Sequence, residues 1–288
     1  MISIVIPVYN EKNGLLPALD ELYQMLPTLG EDYEVILVDD GSDDGTREII
    51  EGLKRPALKS VRHHRNRGYG ASLLSGIDQA AGDTIVITDA DGTYPAAALP
   101  EILRHYRSGG FAMVVGARVT RQRDIPLIRR PAKWVLTRLA SYLTETRIPD
   151  LNSGLRVMNR EIIERYRRLL PDGFSFTTTI TLIMLSKGFP VAYLPVDYFK
   201  REGKSKIRPL HDSLLFLQLI IRTVMYFNPL KIFIPLSLVF FLLALLFAFG
   251  SWQLTGRIMD VTCGILILTG VNVLTIGMLA DLIDKRLD

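Results

Sequence analysis

Two carboxylates follow an apolar run in the stretch ITDADGTYP, residues 87–95. The run predicts an extended segment, and on an extended backbone residues i and i+2 point to the same side. Asp89 and Asp91 can therefore converge on one point, where like charges repel unless a cation neutralises them. Mg²⁺ typically binds one or two carboxylates together with substrate phosphates. The stretch predicts a divalent-metal site at a strand end, with two solvated acids in an ordinary loop as the alternative.

Strand-like and helix-like segments alternate around this stretch, through residues 1–200. The predicted strands cover residues 3–8, 34–38, 59–62, 84–88, 111–116 and 191–195. The predicted helices lie near residues 13–29, 45–54, 69–81, 96–107, 131–146, 159–169 and 175–188. This alternation predicts an α/β fold with a mostly parallel sheet, and such sheets bind ligands beyond the carboxyl ends of their strands.

The loops after the first strands disfavour two common nucleotide-binding folds. The segment PVYNEKNG lacks the glycine fingerprint of dinucleotide-binding proteins and the Gly-Lys-Ser/Thr run of a phosphate loop. Gly68 and Gly70 form the only GxG, which is equally compatible with a turn before a helix. After the second strand, Asp40 faces the same edge as Asp89. Asp43 and Asp44 are predicted to be turn or cap residues without a chemical role.

Two uncharged stretches near the C-terminus, residues 232–256 and 261–280, are long enough to cross a hydrocarbon core of about 30 Å. Basic residues precede the first stretch and follow the second, so the positive-inside bias predicts that both termini and the soluble part are cytoplasmic. The opening MISIVIPVYN has no basic region followed by an apolar one, and it predicts no signal peptide. A buried helical hairpin in a globular core is the alternative reading of these stretches.

The net charge and the cysteine content narrow the classes of partner. A single cysteine, Cys263, excludes an intrachain disulfide and a cysteine metal cluster. The formal charge is +4, and basic residues concentrate at 118–138 and 200–208. Such patches bind nucleic acid, anionic lipid or a phosphorylated substrate. The lack of interleaved aromatics at 200–208 disfavours nucleic acid, and the adjacent membrane segments favour the other two.

Several motifs together resemble the family-2 glycosyltransferases with a GT-A fold. They are PVYNE, VDDGSDDGT, NRGYGASLLSGIDQAAGD, DAD, GAR at 116–118 and LNSGLR at 151–156. Their order is similar to that of polyprenyl-phosphate glycosyltransferases, the group containing dolichyl-phosphate mannose synthase, and the tail is similar to bacterial members with a membrane hairpin. The resemblance implies a GT-A domain over residues 1–208, a juxtamembrane amphipathic helix over 209–230 and a two-helix transmembrane hairpin with a short cytoplasmic tail over 231–288.

The resemblance also implies a site for a nucleotide-sugar donor. The residues that match the base and ribose positions are Pro7, Tyr9, Glu11, Val38 and Asp40. Those that match the metal and diphosphate positions are Asp89, Ala90, Asp91 and Arg118, with Arg201 and Lys206 on a loop that closes over the donor. Thr93 stands where the family often carries Gln or Ser, so we expect it to contact the metal only through water. The metal expected is Mg²⁺ or Mn²⁺.

A phosphate acceptor would need no general base, because the second pKa of a phosphate monoester is about 6. Arg156 is a candidate partner for that phosphate and Asp150 for orienting the acceptor, although a structural arginine and a capping turn fit this stretch equally well. Lys133 and Arg138 are further phosphate candidates on a predicted amphipathic helix, residues 127–144, which is either interfacial or a core helix. The four histidines have no zinc-like spacing, and no role is predicted for them.

The resulting expectation is an inverting transferase with Asp89, Asp91, Arg118 and Arg156 as catalytic candidates. It would move one sugar from UDP-hexose or GDP-mannose to an undecaprenyl or dolichyl phosphate at the cytoplasmic membrane face, and family analogy favours UDP-hexose. A processive polysaccharide synthase is disfavoured, because the Gln-x-x-Arg-Trp motif of those enzymes is missing. A catalytically silent, membrane-anchored nucleotide-sugar-binding protein is the other alternative. The sequence is compatible with a homo-oligomer and does not fix the oligomeric state.

Overall fold

Seven strands form a single sheet in the computed structural model of the chain. They are β1 (Ile2–Val8), β2 (Tyr33–Asp39), β3 (Leu58–Arg62), β4 (Thr84–Ile87), β5 (Met113–Arg118), β6 (Arg156–Asn159) and β7 (Val191–Val196). Their order across the sheet is β3-β2-β1-β4-β6-β5-β7. All neighbouring strands pair in parallel except β6, which is antiparallel to β4 and to β5. The predicted α/β class with a mostly parallel sheet is confirmed.

The structure describes residues 1–118, 137–142, 144–173, 175–199, 228–257 and 259–287, together with residues 218, 221 and 225. The chain divides into two units, Met1–Leu217 and Gln218–Asp288. The predicted domain boundary at residue 208 and most of the predicted juxtamembrane helix over 209–230 lie outside the described residues.

Six α-helices lie between the strands of the first unit and have both ends within the described residues. They are α1 (Leu15–Met25), α2 (Thr46–Gly52), α3 (Tyr69–Asp78), α4 (Leu99–Ser108), α5 (Arg160–Arg165) and α6 (Phe176–Ser186). Residues 137–142 are also helical. The helix predicted over 13–29 ends early, because Pro27 opens a 3₁₀ turn, Leu26–Leu29. Short 3₁₀ turns also cover Ala96–Ala98 and Arg167–Leu169.

The strands β1, β2 and β4 are buried on both faces, as their continuous apolar sequences require. Helix α3 lies close against this layer, because Gly76 has no side chain to separate them. A Cβ on Gly76 would lie 3.1 Å from Val38 Cγ2 and closer still to Val5. Burying each aliphatic side chain of this kind stabilises the fold by about 1.5–3 kcal/mol. The result is a rigid sheet whose carboxyl edge carries polar loops.

Strand β6 was not predicted, and it changes the centre of the sheet. Its sequence RVMN is only four residues long and carries no strand periodicity. Asn159 then caps α5 by accepting a hydrogen bond from the Ile162 backbone N–H, so the helix signal begins immediately. Because β6 runs antiparallel to β4, residue Arg156 pairs with Ile87. The turn that leads into β6 therefore reaches the edge at which β4 ends.

The second unit consists of two long apolar helices, α7 (Leu230–Thr255) and α8 (Asp260–Leu287). By length and composition both could cross a membrane, as the two uncharged stretches predicted. Small residues of α8 allow α7 to approach: a Cβ on Gly270 would lie 2.9 Å from the ring of Phe241, and a Cβ on Gly277 would likewise meet Phe233. The Ser237 hydroxyl of α7 donates to the Gly270 carbonyl over 2.8 Å. The two helices form a tightly packed hairpin.

Candidate active site

The Asp89–Asp91 pair lies in the loop after β4, at the carboxyl edge of the sheet. The Tyr69 hydroxyl at the start of α3 donates to Asp89 Oδ1 over 3.2 Å. Burial, reinforced by the negative charge of Asp89, raises the pKa of Tyr69 well above its ordinary value. The phenol therefore keeps its proton and remains a hydrogen-bond donor. It fixes the orientation of the Asp89 carboxylate.

Thr93 holds the second carboxylate of the pair. Its backbone N–H donates to Asp91 Oδ1 over 3.1 Å, and its hydroxyl donates to the same oxygen over 2.6 Å. Thr93 is itself buried. The hydroxyl thus orients Asp91 directly, and the predicted contact of Thr93 with a metal through water stays a prediction.

Gly154, in the turn before β6, leaves the space that the Asp89 carboxylate occupies. A Cβ on Gly154 would lie 2.7 Å from Asp89 Cγ, closer than two non-bonded carbon atoms can approach. The turn is held in place by Tyr94, whose hydroxyl accepts from the Gly154 N–H over 2.8 Å. Ser153 adds a hydrogen bond from its hydroxyl to the Gly116 carbonyl over 2.5 Å. A buried network therefore positions the backbone beside Asp89.

Replacing Gly154 by alanine is expected to displace the Asp89 carboxylate and to lower kcat. A misplacement of about 1 Å at a reacting centre can cost on the order of 100-fold in rate. The measurement is sugar-transfer activity across a metal titration. Gly52→Ala is the matched control, because a Cβ there meets nothing within 4 Å. Equal activity of the two variants would contradict the role of Gly154 in positioning the Asp89 carboxylate.

Arg118, at the end of β5, forms a bidentate ion pair with Asp150. Its Nε donates to Asp150 Oδ2 over 2.6 Å and its Nη2 donates to Oδ1 over 2.8 Å. The ring of Tyr198 lies 5.3 Å from the guanidinium carbon. Burial alone would lower the pKa of Arg118, but the hydrogen bonds and charge of Asp150 outweigh it and raise the pKa. The pair uses two of the five guanidinium N–H donors, so it can orient Arg118 toward a phosphate.

Arg156, the first residue of β6, is fully buried. Its guanidinium donates to the carbonyls of Ser153, over 2.7 Å, and Leu151, over 2.9 Å, and to Thr181 Oγ1 of α6, over 2.5 Å. Burial lowers the pKa of this group. The sequence left a structural arginine open beside acceptor binding, and these contacts correct the acceptor assignment. With no exposed surface, Arg156 supports the turn from within and does not reach an acceptor phosphate.

Asp40 and His63 form a buried pair that sequence reasoning missed. Because a carboxylate only accepts, the proton lies on His63 Nδ1, which donates to Asp40 Oδ1 over 2.7 Å. Asp40 also accepts the backbone N–H groups of Arg67, over 2.9 Å, and Gly68, over 2.8 Å. The other ring nitrogen of His63 lies 2.9 Å from Ser75 Oγ. These contacts tie the loop before α3 to the end of β2, and the only sequence signal was a histidine directly after a predicted strand.

Three of the predicted donor residues lie at the end of β1 and in the loop that follows it. Tyr9 and Glu11 are half-buried at the carboxyl edge, and Pro7 is half-buried in β1. Thr46 at the start of α2 accepts the Glu11 N–H over 3.0 Å. Val38, in contrast, is fully buried against α3. Its side chain is part of the core, and any contact with a nucleobase would have to use its backbone.

Asp43 and Asp44 hold the loops after β1 and β2 together, in keeping with the turn or cap role predicted for them. Asp43 accepts a hydrogen bond from Asn10 Nδ2 over 2.7 Å. Asp44 accepts the N–H of Thr46 over 3.0 Å and the N–H of Lys12 over 3.2 Å. Asp44 therefore positions the backbone of both loops, and Asp43 links them through the Asn10 side chain.

The remaining predicted cations are only partly described. Arg201, Lys206 and Lys133 lie outside the described residues. Arg138 is exposed on the helical segment 137–142, which is the described part of the predicted amphipathic helix. Their roles stay predictions.

The donor set around Asp89 and Asp91 fits a divalent ion only if other ligands complete it. Within the described part of the chain, no group of three or more His, Cys, Asp or Glu residues could hold a metal ion. Two carboxylates in the loop after a strand, each held in one orientation, match the way Mg²⁺ is shared between protein carboxylates and substrate phosphates. The arrangement can therefore hold a metal together with a diphosphate.

Residues 3–167, more than half of the chain, match the family described as glycosyl transferase family 2. The chain belongs to glycosyl transferase family 2. Residues 228–285 match the family described as the GtrB C-terminal hairpin. The family predicted from the motifs, its GT-A fold and its glycosyltransferase activity are thereby confirmed. With the two apolar helices, the hairpin match indicates a membrane-anchored enzyme.

Curated relatives of this family-2 glycosyltransferase extend over most of its length. The bactoprenol glucosyl transferase of Shigella phage SfV is 26% identical over 99% of this chain and 93% of its own. The undecaprenyl-phosphate 4-deoxy-4-formamido-L-arabinose transferase of Pseudomonas fluorescens is 32% identical over 84% of this chain and 69% of its own. The similarity thus includes both the catalytic unit and, in the first case, the hairpin.

A solved structure supports the fold of the catalytic unit. The glucosyl-3-phosphoglycerate synthase of Mycobacterium tuberculosis, solved with Mn²⁺, UDP-glucose and phosphoglyceric acid, matches with a TM-score of 0.60 at 19% identity. The match covers 78% of this chain and 79% of that one. At this identity the likeness establishes the GT-A architecture of the family-2 glycosyltransferase and nothing of its ligands.

Proposed function

We propose that this enzyme transfers a single sugar from a nucleotide-sugar donor to a polyprenyl phosphate at the cytoplasmic face of a membrane. The observation that carries the proposal is the presence, in one chain, of the Asp89–Asp91 site and a membrane hairpin. Relatives with this full-length organisation are named bactoprenol glucosyl transferases, which supports a bactoprenol-type lipid acceptor. The acceptor would enter from the bilayer in which the hairpin is anchored.

The donor is a UDP-hexose rather than GDP-mannose in this proposal. The glucosyl transferase names of several relatives support a glucosyl donor. Pro7, Tyr9, Glu11 and Asp40 remain the proposed contacts to the base and ribose.

Asp89 and Asp91 would bind a divalent metal, Mg²⁺ or Mn²⁺, which neutralises the donor diphosphate when bound. Tyr69 and Thr93 hold the two carboxylates in one orientation, so little reorganisation is needed when the donor arrives. Arg118, fixed by Asp150, would add positive charge from the end of β5, which β6 separates from β4. Arg201 and Lys206 would add charge from the segment after β7.

The reaction itself is a displacement at the anomeric carbon. A phosphate oxyanion of the acceptor forms the new carbon–oxygen bond, and the bond to the donor diphosphate breaks, with inversion of configuration. At neutral pH the acceptor is already ionised, because its second pKa is about 6. The chain therefore needs to orient the two substrates and to balance the charge of the leaving diphosphate. It needs no residue that removes a proton from the acceptor.

The basic residues that flank the hairpin support a cytoplasmic position for the catalytic unit and both termini. Contact with anionic lipid headgroups and assembly into a homo-oligomer are parts of the same proposal. A catalytic unit on the cytoplasmic side would have access to a soluble nucleotide sugar, and its membrane anchor would keep it near a lipid phosphate.

The test uses the full-length protein in bilayers with undecaprenyl phosphate and either UDP-glucose or GDP-mannose. We expect a hexosyl lipid from UDP-glucose that disappears with a chelator and returns with Mn²⁺ or Mg²⁺, detected by mass spectrometry. Undecaprenol without its phosphate is the matched control and should yield no product. Nucleotide binding without any lipid product from either donor would favour the catalytically silent binding protein instead.

A further inference from the structure

Asn152 is the one exposed residue in the turn at residues 150–156. The other six residues of this turn are buried, among them Asp150 and Gly154. Their side chains and backbone are taken up by the contacts that hold the turn between β5 and β6. The turn therefore presents a single carboxamide to solvent.

The two neighbours of Asn152 in the turn place it at the active-site edge. Gly154, two residues later, lies against Asp89, because a Cβ on it would be 2.7 Å from Asp89 Cγ. Asp150, two residues earlier, holds Arg118 through hydrogen bonds of 2.6 Å and 2.8 Å. Two residues of chain span at most about 7 Å, so the Asn152 backbone lies within that distance of both neighbours. Its side chain therefore starts close to the proposed metal site and to the cation beside it.

The Asn152 carboxamide is held in one orientation from inside the protein. Thr178, fully buried in the first turn of α6, donates its hydroxyl to Asn152 Oδ1 over 2.6 Å. The Asn152 backbone N–H donates to Asp150 Oδ1 over 3.2 Å. The segment before α6 is fixed as well, because the Asp172 carbonyl accepts the N–H of Ala71 in α3 over 2.8 Å. The side chain is thus oriented before a ligand arrives, which lowers the cost of binding one.

The unused hydrogen-bonding groups of Asn152 match a sugar hydroxyl. A carboxamide has two N–H donors and an oxygen with two lone pairs, of which Thr178 uses one. Among the described residues nothing else bonds to this side chain, so both donors and one lone pair remain. A hydroxyl group both donates and accepts, whereas an ionised phosphate only accepts and is bound more strongly by a cation. A neutral, exposed and oriented amide therefore favours an uncharged hydroxyl.

We propose that Asn152 binds a hydroxyl group of the donor sugar and thereby helps to select the sugar that is transferred. This inference rests on the proposed function and deepens it. The sugar is attached to the diphosphate that Asp89 and Asp91 would hold through the metal, so its ring has to lie near the turn that carries Gly154. A site built to bond a hydroxyl rejects an analogue that lacks it, because the protein group is then left unpaired. The ligand class is a neutral hexose.

Calorimetry on the full-length protein in detergent with Mn²⁺ separates the sugar from the nucleotide. Asn152→Ala should bind UDP-glucose about 5- to 100-fold more weakly, the value of one or two hydrogen bonds, and should bind UDP with unchanged affinity. Asn13→Ala is the matched control, because Asn13 is also exposed and lies in the loop after β1. Its affinities should change less than about twofold, as for other surface substitutions. Equal weakening of UDP and UDP-glucose, or no weakening of either, would overturn the inference.

Sugar transfer to undecaprenyl phosphate in bilayers identifies the hydroxyl. The wild-type protein should discriminate UDP-glucose from one of its monodeoxy analogues by a factor that Asn152→Ala abolishes, and the other analogues should respond equally in both proteins. A purely structural role predicts the same deficit for every analogue, and contact with the acceptor predicts a raised KM for undecaprenyl phosphate alone. Either result would overturn the inference.

The same assay distinguishes this inference from the proposed function. Absence of a hexosyl lipid from the wild-type protein with every donor would overturn both. Product formation at equal kcat/KM by the wild-type protein and by Asn152→Ala would overturn the inference alone and leave the proposed function in place.

Discussion

Asp91→Asn is expected to lower kcat/KM by about 100- to 1,000-fold, the cost of removing one group that stabilises developing charge. Asparagine has nearly the same shape, and its amide oxygen can still accept from Thr93, which donates twice to Asp91 Oδ1. What is lost is the negative charge that would hold a divalent ion. The metal concentration at half-maximal activity should therefore rise together with the loss of rate.

Asp43→Asn is the matched control for this experiment. Asp43 lies at the same edge of the sheet, but its carboxylate is exposed and accepts from Asn10 Nδ2 over 2.7 Å. An amide can replace that contact, so activity and metal dependence should change less than about threefold, as for an exposed surface substitution worth about 0.5 kcal/mol. Retention of full metal-dependent activity by Asp91→Asn would show that the metal assignment is wrong.

Arg156→Met is expected to destabilise the catalytic unit by about 3–5 kcal/mol. Methionine fills part of the volume but leaves the carbonyls of Leu151 and Ser153 buried without their donors, at about 1–3 kcal/mol for each unsatisfied group. For a unit of this size the apparent melting temperature should fall by on the order of 10 °C. Thermal unfolding of the full-length protein in detergent measures the change.

The same variant distinguishes a buried structural arginine from a phosphate ligand. Arg165→Met is the control, since Arg165 makes an exposed i,i+4 pair with Glu161 that is worth less than about 1 kcal/mol. If Arg156 contacted the acceptor, Arg156→Met would raise the KM for polyprenyl phosphate while leaving the melting temperature close to that of Arg165→Met. We expect instead a large decrease in the melting temperature. Turnover should also be lost, because the turn at residues 150–154 loses its support.

The parallel strands and the Asp89–Asp91 pair could be predicted because their signals are local. Apolar runs such as IVI in β1 and VIL in β2 end in polar loops, and parallel strands place those loops at one edge. The two apolar helices were predictable for the same reason, since length and lack of charge suffice. Sequence alone was therefore enough to predict the fold class and to place the two carboxylates after a strand.

The surroundings of the carboxylates depend on contacts between distant segments, which no local pattern encodes. Arg156 pairs with Ile87 across 69 positions of sequence, and this register brings Gly154 against Asp89. The motif LNSGLR is visible in the sequence, but its local pattern does not show whether the arginine faces solvent or the core. That depends on the position of β6 between β4 and β5. His63 was missed because a single histidine after a strand carries no distinctive spacing.

The ion pair of Arg118 with Asp150 joins the two ends of a connection. Arg118 ends β5 and Asp150 precedes the turn into β6, so the intervening residues 119–149 leave and return at one clamped point. Extending such a connection costs little, about 0.6 kcal/mol for each doubling of its length. The described end of the connection is anchored as well, because Ala140, Thr144 and Ile148 are buried. The clamp therefore keeps both ends of a long connection together at the edge that carries Asp89 and Asp91, whatever the length of the chain between them.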